Sequence, residues 1–467
     1  MPIIEEDMSF ITFILLVLLN ISPISSLDLP AARISDDSIL RNNLRQAWFL
    51  DTPRMVLSQH TRIEHLETGE RVQVSATEGR DEFIVVLSRE RMSAAERRPT
   101  GQFPGWAQGS WMLTRNKETG AGTLIRIFLR SDQFTYIQFR PFDTEKCMMD
   151  AVLYGGYIVS SVPIPVPPPL PGTTPSINNA FERLYTMPLN DILKLVEGKF
   201  PLKYFEPDPS LYRDSRTLVT QIRSQIGALR FADDGAIDEN GNYVFINTLE
   251  PQRPAAAGLN CSGFAKWLID GILRPVTGKR LPIPPLKEPF GERGSSFTVN
   301  WEERRDVFFG LDWIRNLAAE ANGTLRSAPY RALEEFEIRR NTFSSIMINE
   351  NRNIVVNSYP GFMHEAGYTM EGLRPLLYTL AIDEPYSFYL AAINTEISTP
   401  TSIRGTPRLR QYFHIAALIP YFDELGVFRI AVFESATETS SFIAFRNRYP
   451  GHFVNLVKIP VSARFEP

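Results

Sequence analysis

At 467 residues the chain is longer than one ordinary core supports, so two or three domains are expected. Its apolar and charged fractions, 43% and 22%, are those of an ordinary globular protein. The net charge of -4, with no basic run or basic/aromatic stripe to offset it, argues against nucleic acid as the main partner.

Residues 1–27 do not read as part of a fold. Phe10 to Ile21 is a short apolar run, followed by the small, helix-breaking Ser22-Pro23-Ile24-Ser25-Ser26. It is shorter than the roughly 20 apolar residues of a bilayer span and is similar to the apolar region of a secretory signal. Glu5, Glu6 and Asp7 stand where basic residues are usual, so translation starting at Met8 and retention as an uncleaved anchor are the alternatives. Either way export to the periplasm or cell envelope is expected.

Residues 45–162 read as a β-rich domain, a small barrel or sandwich. Arg71 to Val74 alternates, and Glu82 to Leu87, Thr123 to Leu129 and Thr135 to Phe139 are short apolar runs bounded by turns. Trp106 and Trp111 are either a sugar-stacking surface or core. This module is a candidate wall-binding domain, or one that only packs on its neighbour. Pro163 to Pro175 favours polyproline II and marks a linker, 163–176. Helices follow over 177–235, with Ile192, Leu195 and Val196 on one face and Leu218, Ile222 and Ile226 on another. They are read as a brace for the domain that follows, 236–467. The acidic stretches at Asp233-Asp234-Gly235 and Asp238-Glu239-Asn240-Gly241 lack the oxygen spacing of a calcium loop and read as turns.

The most informative stretch is Gly258-Leu259-Asn260-Cys261-Ser262-Gly263-Phe264-Ala265-Lys266-Trp267-Leu268. Phe264, Trp267, Leu268 and Ile272 have helical spacing, Asn260 is a good N-cap, Gly258 permits a sharp turn, and Arg274-Pro275 closes the pattern. Cys261 is thus expected in the first turn, pointing away from the apolar face. There free N–H groups and the helix dipole favour a thiolate. The only other cysteine is Cys147, and a disulfide between the two is the plain alternative for an exported chain.

Leu281 to about Pro385 reads as an insertion rimming the cleft, with an N-cap at Asn300, a helical face of Val307, Leu311, Ile314 and Leu317, and a hairpin of Ile346–Ile348 with Ile354–Val356. Beyond it, Tyr386–Ile393, Tyr412–Ile419 and Phe428–Glu434 read as strands. A three-residue turn centred on Glu424 would set Glu434 opposite His414, and one residue more would set Ser435 there. Of the other histidines, His60 and His65 belong to the first domain. His364 lacks the second histidine of a zinc helix. His452 is the reserve candidate.

The residues Asn260-Cys261-Ser262-Gly263-Phe264 resemble the Asp/Asn-Cys-Ser-Gly-hydrophobic motif of the NlpC/P60 cysteine peptidases, which cleave cell-wall peptides. The strand bearing His414 resembles that family's histidine hairpin. A glutamate in third place, Glu434, is more similar to the CHAP relatives. The resemblance covers roughly Ala236 to Ile272 and Tyr386 to Phe442. It implies an α+β, papain-like catalytic domain with a large insertion at about 281–385, preceded by the β-rich domain. It also implies a Cys261–His414–Glu434 triad acting on peptidoglycan stem peptides, between D-glutamate and the diamino acid. Tyr243 would help bind the oxyanion, and Ser262 the substrate's free amine. Neither metal nor organic cofactor is required. An amidase or acyltransferase on the same scaffold, and a non-catalytic wall-binding or surface protein with a blocked cleft, are the alternatives.

Overall fold

The computed structural model describes residues 34–90, 103–167, 179–199, 202–205, 207–290, 310–326, 335–339, 344–348, 354–358, 362–363, 366–397 and 409–467. The expected signal segment, the helix start at Asn300 and His364 lie outside these residues. The chain divides into two compact units, Met1–Met149 with Pro163–Glu206, and Asp150–Val162 with Pro207–Pro467. The fold is α+β.

The first unit opens with helix α1 (Ser38–Leu44), a π-helical turn (Arg45–Leu50) and α2 (Pro53–Leu57). Strands β1 (Arg62–His65), β2 (Arg71–Glu78), β3 (Glu82–Arg89), β4 (Trp111–Asn116), β5 (Gly122–Ile127), β6 (Tyr136–Pro141), β7 (Lys146–Leu153) and β8 (Gly156–Pro165) follow, with Asp150–Val162 of the last two counted in the second unit. They form one sheet in sequential order, a meander rather than a sandwich. Pro163 and Pro165 end β8, so the proline-rich stretch begins inside a strand. An outermost strand tolerates this because no further neighbour needs the missing N–H. Trp111 is core: it is 2% exposed and packs on Phe49 and Tyr185. Helices α3 (Asn179–Arg183) and α4 (Leu189–Val196) belong to this unit. The stretch read as one brace for the catalytic domain is therefore divided. Arg41 is the tie, donating from its buried guanidinium to the carbonyls of Leu184, Tyr185 and Met187 around α3.

In the second unit, α5 (Arg213–Ile226) leads into the short strands β9 (Ala236–Ile237) and β10 (Tyr243–Val244), then α6 (Cys261–Thr277) and α7 (Leu311–Arg326). The expected hairpin forms as β11 (Ser344–Ile348) and β12 (Ile354–Ser358), with Ile346 opposite Val356. The strands β13 (Tyr368–Thr369), β14 (Ser387–Ile397), β15 (Leu409–Phe422), β16 (Phe428–Glu434), β17 (Thr437–Glu438) and β18 (Phe453–Pro460) form an antiparallel sheet in the order β13-β18-β14-β15-β16-β17. Helix α8 (Leu373–Asp383) precedes β14, and α9 (Phe442–Arg448) links β17 to β18.

Phe388, Leu390 and Ala392 of β14, Ile415, Ala417 and Ile419 of β15, Ala431 and Phe433 of β16, and Val457 and Ile459 of β18 share one core with α6 and α7. Their spacing of two is that of one sheet face. In β14 to β16 the residues between them, such as Tyr389, Ala391, Ala416, Leu418 and Val432, are buried as well, which is why these strands carry apolar runs without alternation. Helix α7 is a correction to the expected rim-like insertion. Leu311, Trp313, Ile314 and Leu317 lie in the same core as Cys261.

Candidate active site

The start of α6 is fixed by hydrogen bonds of Asn260 and Trp313 and by close backbone approaches at Gly263 and Gly258. The Asn260 Oδ1 accepts the Gly263 N–H at 2.8 Å, the N-cap bond expected, while its Nδ2 donates to the Asp233 carbonyl at 3.1 Å. A Cβ at Gly263 would stand 1.9 Å from the Gly235 oxygen, and one at Gly258 would stand 2.6 Å from the Arg230 oxygen. Gly258 is absent from the positive-φ glycines, so its role is backbone proximity and not the sharp turn expected of it. Trp313 Nε1 donates to the Ser262 carbonyl at 3.0 Å. One turn along, Lys266 and Asp270 pair at 2.7 Å, both wholly buried, and the lysine also reaches the Ile237 carbonyl. Such a pair satisfies its charges internally and pins α6 to β9.

Two details of α6 depart from expectation. Cys261 does not point away from the apolar face: it is 2% exposed, because every residue from Cys261 to Leu273 is buried. The helix also runs through Pro275 to Thr277 and ends at the left-handed Gly278. The proline is tolerated because the Gly271 carbonyl it leaves free accepts the Glu466 N–H at 2.7 Å.

His414 comes from β15 at a bulge. Ile393 pairs with His414 and Asn394 with Tyr412, leaving Phe413 as the extra residue. The core-facing positions accordingly read Tyr412, Ile415, Ala417 and Ile419, with a step of three in place of two. Phe413 and His414 both leave the core and pack on Tyr449, at centroid distances of 6.0 and 5.7 Å. Bulges re-aim side chains in this way.

The loop after β15 is Asp423–Val427, centred on Leu425, since Phe422 pairs with Phe428. Neither expected register holds. Ala417 pairs with Phe433, so Glu434 lies level with Ala416, diagonal to His414. The bulge closes that diagonal, and His414 Nε2 and Glu434 Oε2 stand 2.8 Å apart. The other ring nitrogen is left free by Glu434, and Cys261 lies near enough to His414 to help raise its pKa.

Glu434 is the hub. Its Oε1 accepts from the Thr439 hydroxyl and from the Arg448 guanidinium, and its Oε2 accepts from the Tyr449 hydroxyl at 3.3 Å. Burial opposes ionisation of Glu434, but the bonds from His414 and Thr439 and the charges of His414 and Arg448 outweigh it and hold the carboxyl below its ordinary range. At His414, burial likewise opposes the charged form. Hydrogen bonds and charge from Cys261 and Glu434 outweigh it and raise the imidazole to about 9. Directly after Glu434, Ser435 and Ala436 both have left-handed backbones, φ 44° and 67°. Neither is glycine or asparagine, so the β16–β17 turn holds local strain beside the site.

Ser262 is fully buried, and its hydroxyl has no partner among the described residues. Tyr243 pairs with Ile237 and packs on the core that holds Cys261. His452 lies against Phe413 and Tyr449, its Nδ1 3.0 Å from the Pro450 carbonyl oxygen. His60 and His65 are exposed on the first unit. Cys147 is buried in β7, and both cysteines are free, so no disulfide forms. Thr439, Arg448 and Tyr449 escaped sequence reasoning. Their only signal is a basic and an aromatic residue at the end of a short helix, too common a pattern to single out. Among the described residues no group of three or more His, Cys, Asp or Glu is placed to hold a metal ion.

A family model described as a domain of unknown function, DUF8515, matches residues 30–204, nearly the span of the first unit and short of the cysteine site. No curated protein and no solved structure matches the chain.

Proposed function

We propose that the second unit is a papain-like cysteine hydrolase of the NlpC/P60 kind, exported to the cell envelope, that cuts amide bonds in peptidoglycan stem peptides. One observation carries the reading: a cysteine at an N-capped helix start lies beside an imidazole whose pKa it helps raise, and one nitrogen of that imidazole is held by a buried, ionised glutamate. Nucleophile, base and orienting acid in that relation are what acyl transfer requires.

The Cys261 sulfur, its proton passed to His414, attacks the amide carbonyl and forms a C–S bond. The tetrahedral oxyanion takes a hydrogen bond from the Cys261 N–H and the Tyr243 hydroxyl, a donor of this kind being worth roughly 3 kcal/mol. As the C–N bond breaks, His414 gives its proton to the leaving amine. Water, deprotonated by His414, then cleaves the thioester and returns the thiol. Glu434 holds the imidazole and stabilises its charged form. The buried Ser262 hydroxyl, without a partner among the described residues, is available to a substrate amine. The first unit is proposed as a wall-binding β-domain.

The test is mass analysis of products from purified muropeptides with wild type and Cys261→Ala. A new amine and carboxylate at the stem-peptide bond support the reading, and cleavage that persists in the variant ends it. The 2% exposure of Cys261 favours a second reading, a wall-binding protein with an occluded cleft. A Cys261 inert to iodoacetamide in the folded protein would select it.

A further inference from the structure

The groups around Glu434 go beyond a three-residue site. We propose that the C-terminal end of α9 supplies two positioning residues: Tyr449, which fixes the imidazole plane and the Glu434 oxygen bound to it, and Arg448, which shares the carboxylate from its other oxygen. This rests on the hydrolase reading above.

Tyr449 touches two of the three site residues. Its ring lies 28° from the plane of His414 at a centroid distance of 5.7 Å, and its hydroxyl bonds the same Oε2 that faces His414 Nε2. An imidazole held at its edge by one hydrogen bond can still swing about that bond. A ring stacked on its face removes that freedom and fixes the direction of the second nitrogen. Tyr449 is itself seated by Phe445 at 5.4 Å and by Phe413 at 6.0 Å, so the bulge residue and the α9 core residue set the stack. Burial, reinforced by Glu434, pushes the Tyr449 pKa up, so the hydroxyl stays a donor.

Arg448 acts from the opposite side. It donates to Glu434 Oε1 and, at 2.8 Å, to the Thr439 hydroxyl that bonds the same oxygen. Its side chain is half exposed, so the cation is not needed to complete the core. It draws part of the carboxylate's charge away from His414. Among the described residues, the ionisable groups around His414 and its Glu434 partner are Cys261 from α6, Glu434 from β16, Tyr449 on the His414 ring, and Arg448 on the far oxygen of Glu434, with His452 against Tyr449. The helix that delivers the pair is short and capped by Ser441, whose hydroxyl accepts the Ala444 N–H at 3.1 Å.

The experiment combines turnover of muropeptides with an NMR titration of ring-labelled histidine, the His414 signal assigned from His414→Gln. Tyr449→Phe keeps the stacked ring and loses the hydroxyl. Its kcat is expected to fall about tenfold with KM unchanged. Tyr449→Ala falls further, so that phenylalanine partly rescues alanine. Arg448→Met leaves the glutamate's charge to His414 alone, and the His414 midpoint moves up by about one pH unit. Arg448→Lys returns it toward wild type. Unchanged kcat in Tyr449→Phe and an unmoved midpoint in Arg448→Met, with wild-type turnover present, overturn the positioning roles alone. No wild-type turnover on muropeptides, with the midpoint shifting as stated, overturns the hydrolase reading and leaves the Arg448 effect standing.

Discussion

The two cysteines make a controlled comparison within one chain. Both are buried and free, one in strand β7 of the first unit and one at the start of α6 in the second. Around Cys147, burial and then the nearby Asp143 push the thiol up to about 12, which keeps it protonated and inert. Cys261 is as well buried, yet its neighbour is an imidazole anchored to a carboxylate. Burial alone makes a cysteine a small hydrophobe; on the hydrolase reading, a partner that can take its proton makes Cys261 a nucleophile.

The largest expected effect separates the two directly. Cys261→Ala is expected to lower kcat on muropeptides by more than about 10³-fold, whereas Cys147→Ala leaves it within about twofold. Equal losses in both would show that the comparison concerns folding and not chemistry. Next, Gly263→Ala puts a methyl 1.9 Å from the Gly235 oxygen, where only backbone movement can relieve it. A loss of about 3 kcal/mol in urea unfolding is expected, and a loss under about 1 would mean that the close approach at the α6 start is slack.

The third prediction concerns pH. His414 has a folded value of about 9, above the ordinary histidine value of 6.5. Its stabilising contribution is complete below that ordinary value and is lost as pH rises through about 9. For Cys147 the folded value of about 12 exceeds the thiol's ordinary 9.0, so its loss falls in the window above. Thermal melts should therefore decline in two steps. His414→Gln should remove the lower step and Cys147→Ala the upper; a single step unaffected by either substitution would count against both assignments. The smallest effect is on labelling: under opening conditions too mild to unfold the first unit, iodoacetamide should mark Cys261 and spare Cys147.

Much of the second unit's local structure could be read from the chain because its signals are local. Asn260 three residues before Gly263 announces a cap, and the run Phe428 to Glu434 has strand bounds that the structure reproduces. Strand β7 was missed because Lys146 to Leu153 carries no alternation: it is buried along nearly its whole length. The bulge at Phe413 leaves no mark in composition, since it depends on how β14 and β15 twist together. Assignment of α3 and α4 to the first unit depends on the reach of Arg41, a contact more than 140 residues distant in sequence. The diagonal from His414 to Glu434 was reachable only with the loop length known, and Asp423 sets that length by accepting the Leu425 and Val427 N–H groups.

The left-handed pair Ser435–Ala436 has a further consequence. Replacing Ala436 with glycine would relax a backbone that alanine adopts only under constraint, and thermal tolerance should rise by about 0.5–1 kcal/mol. The same relaxation would let the end of β16 wander, and with it the carboxylate on which the imidazole rests. A hardier protein and, on the hydrolase reading, a slower one would then follow from one substitution, as expected where rigidity in a turn serves precision and not endurance.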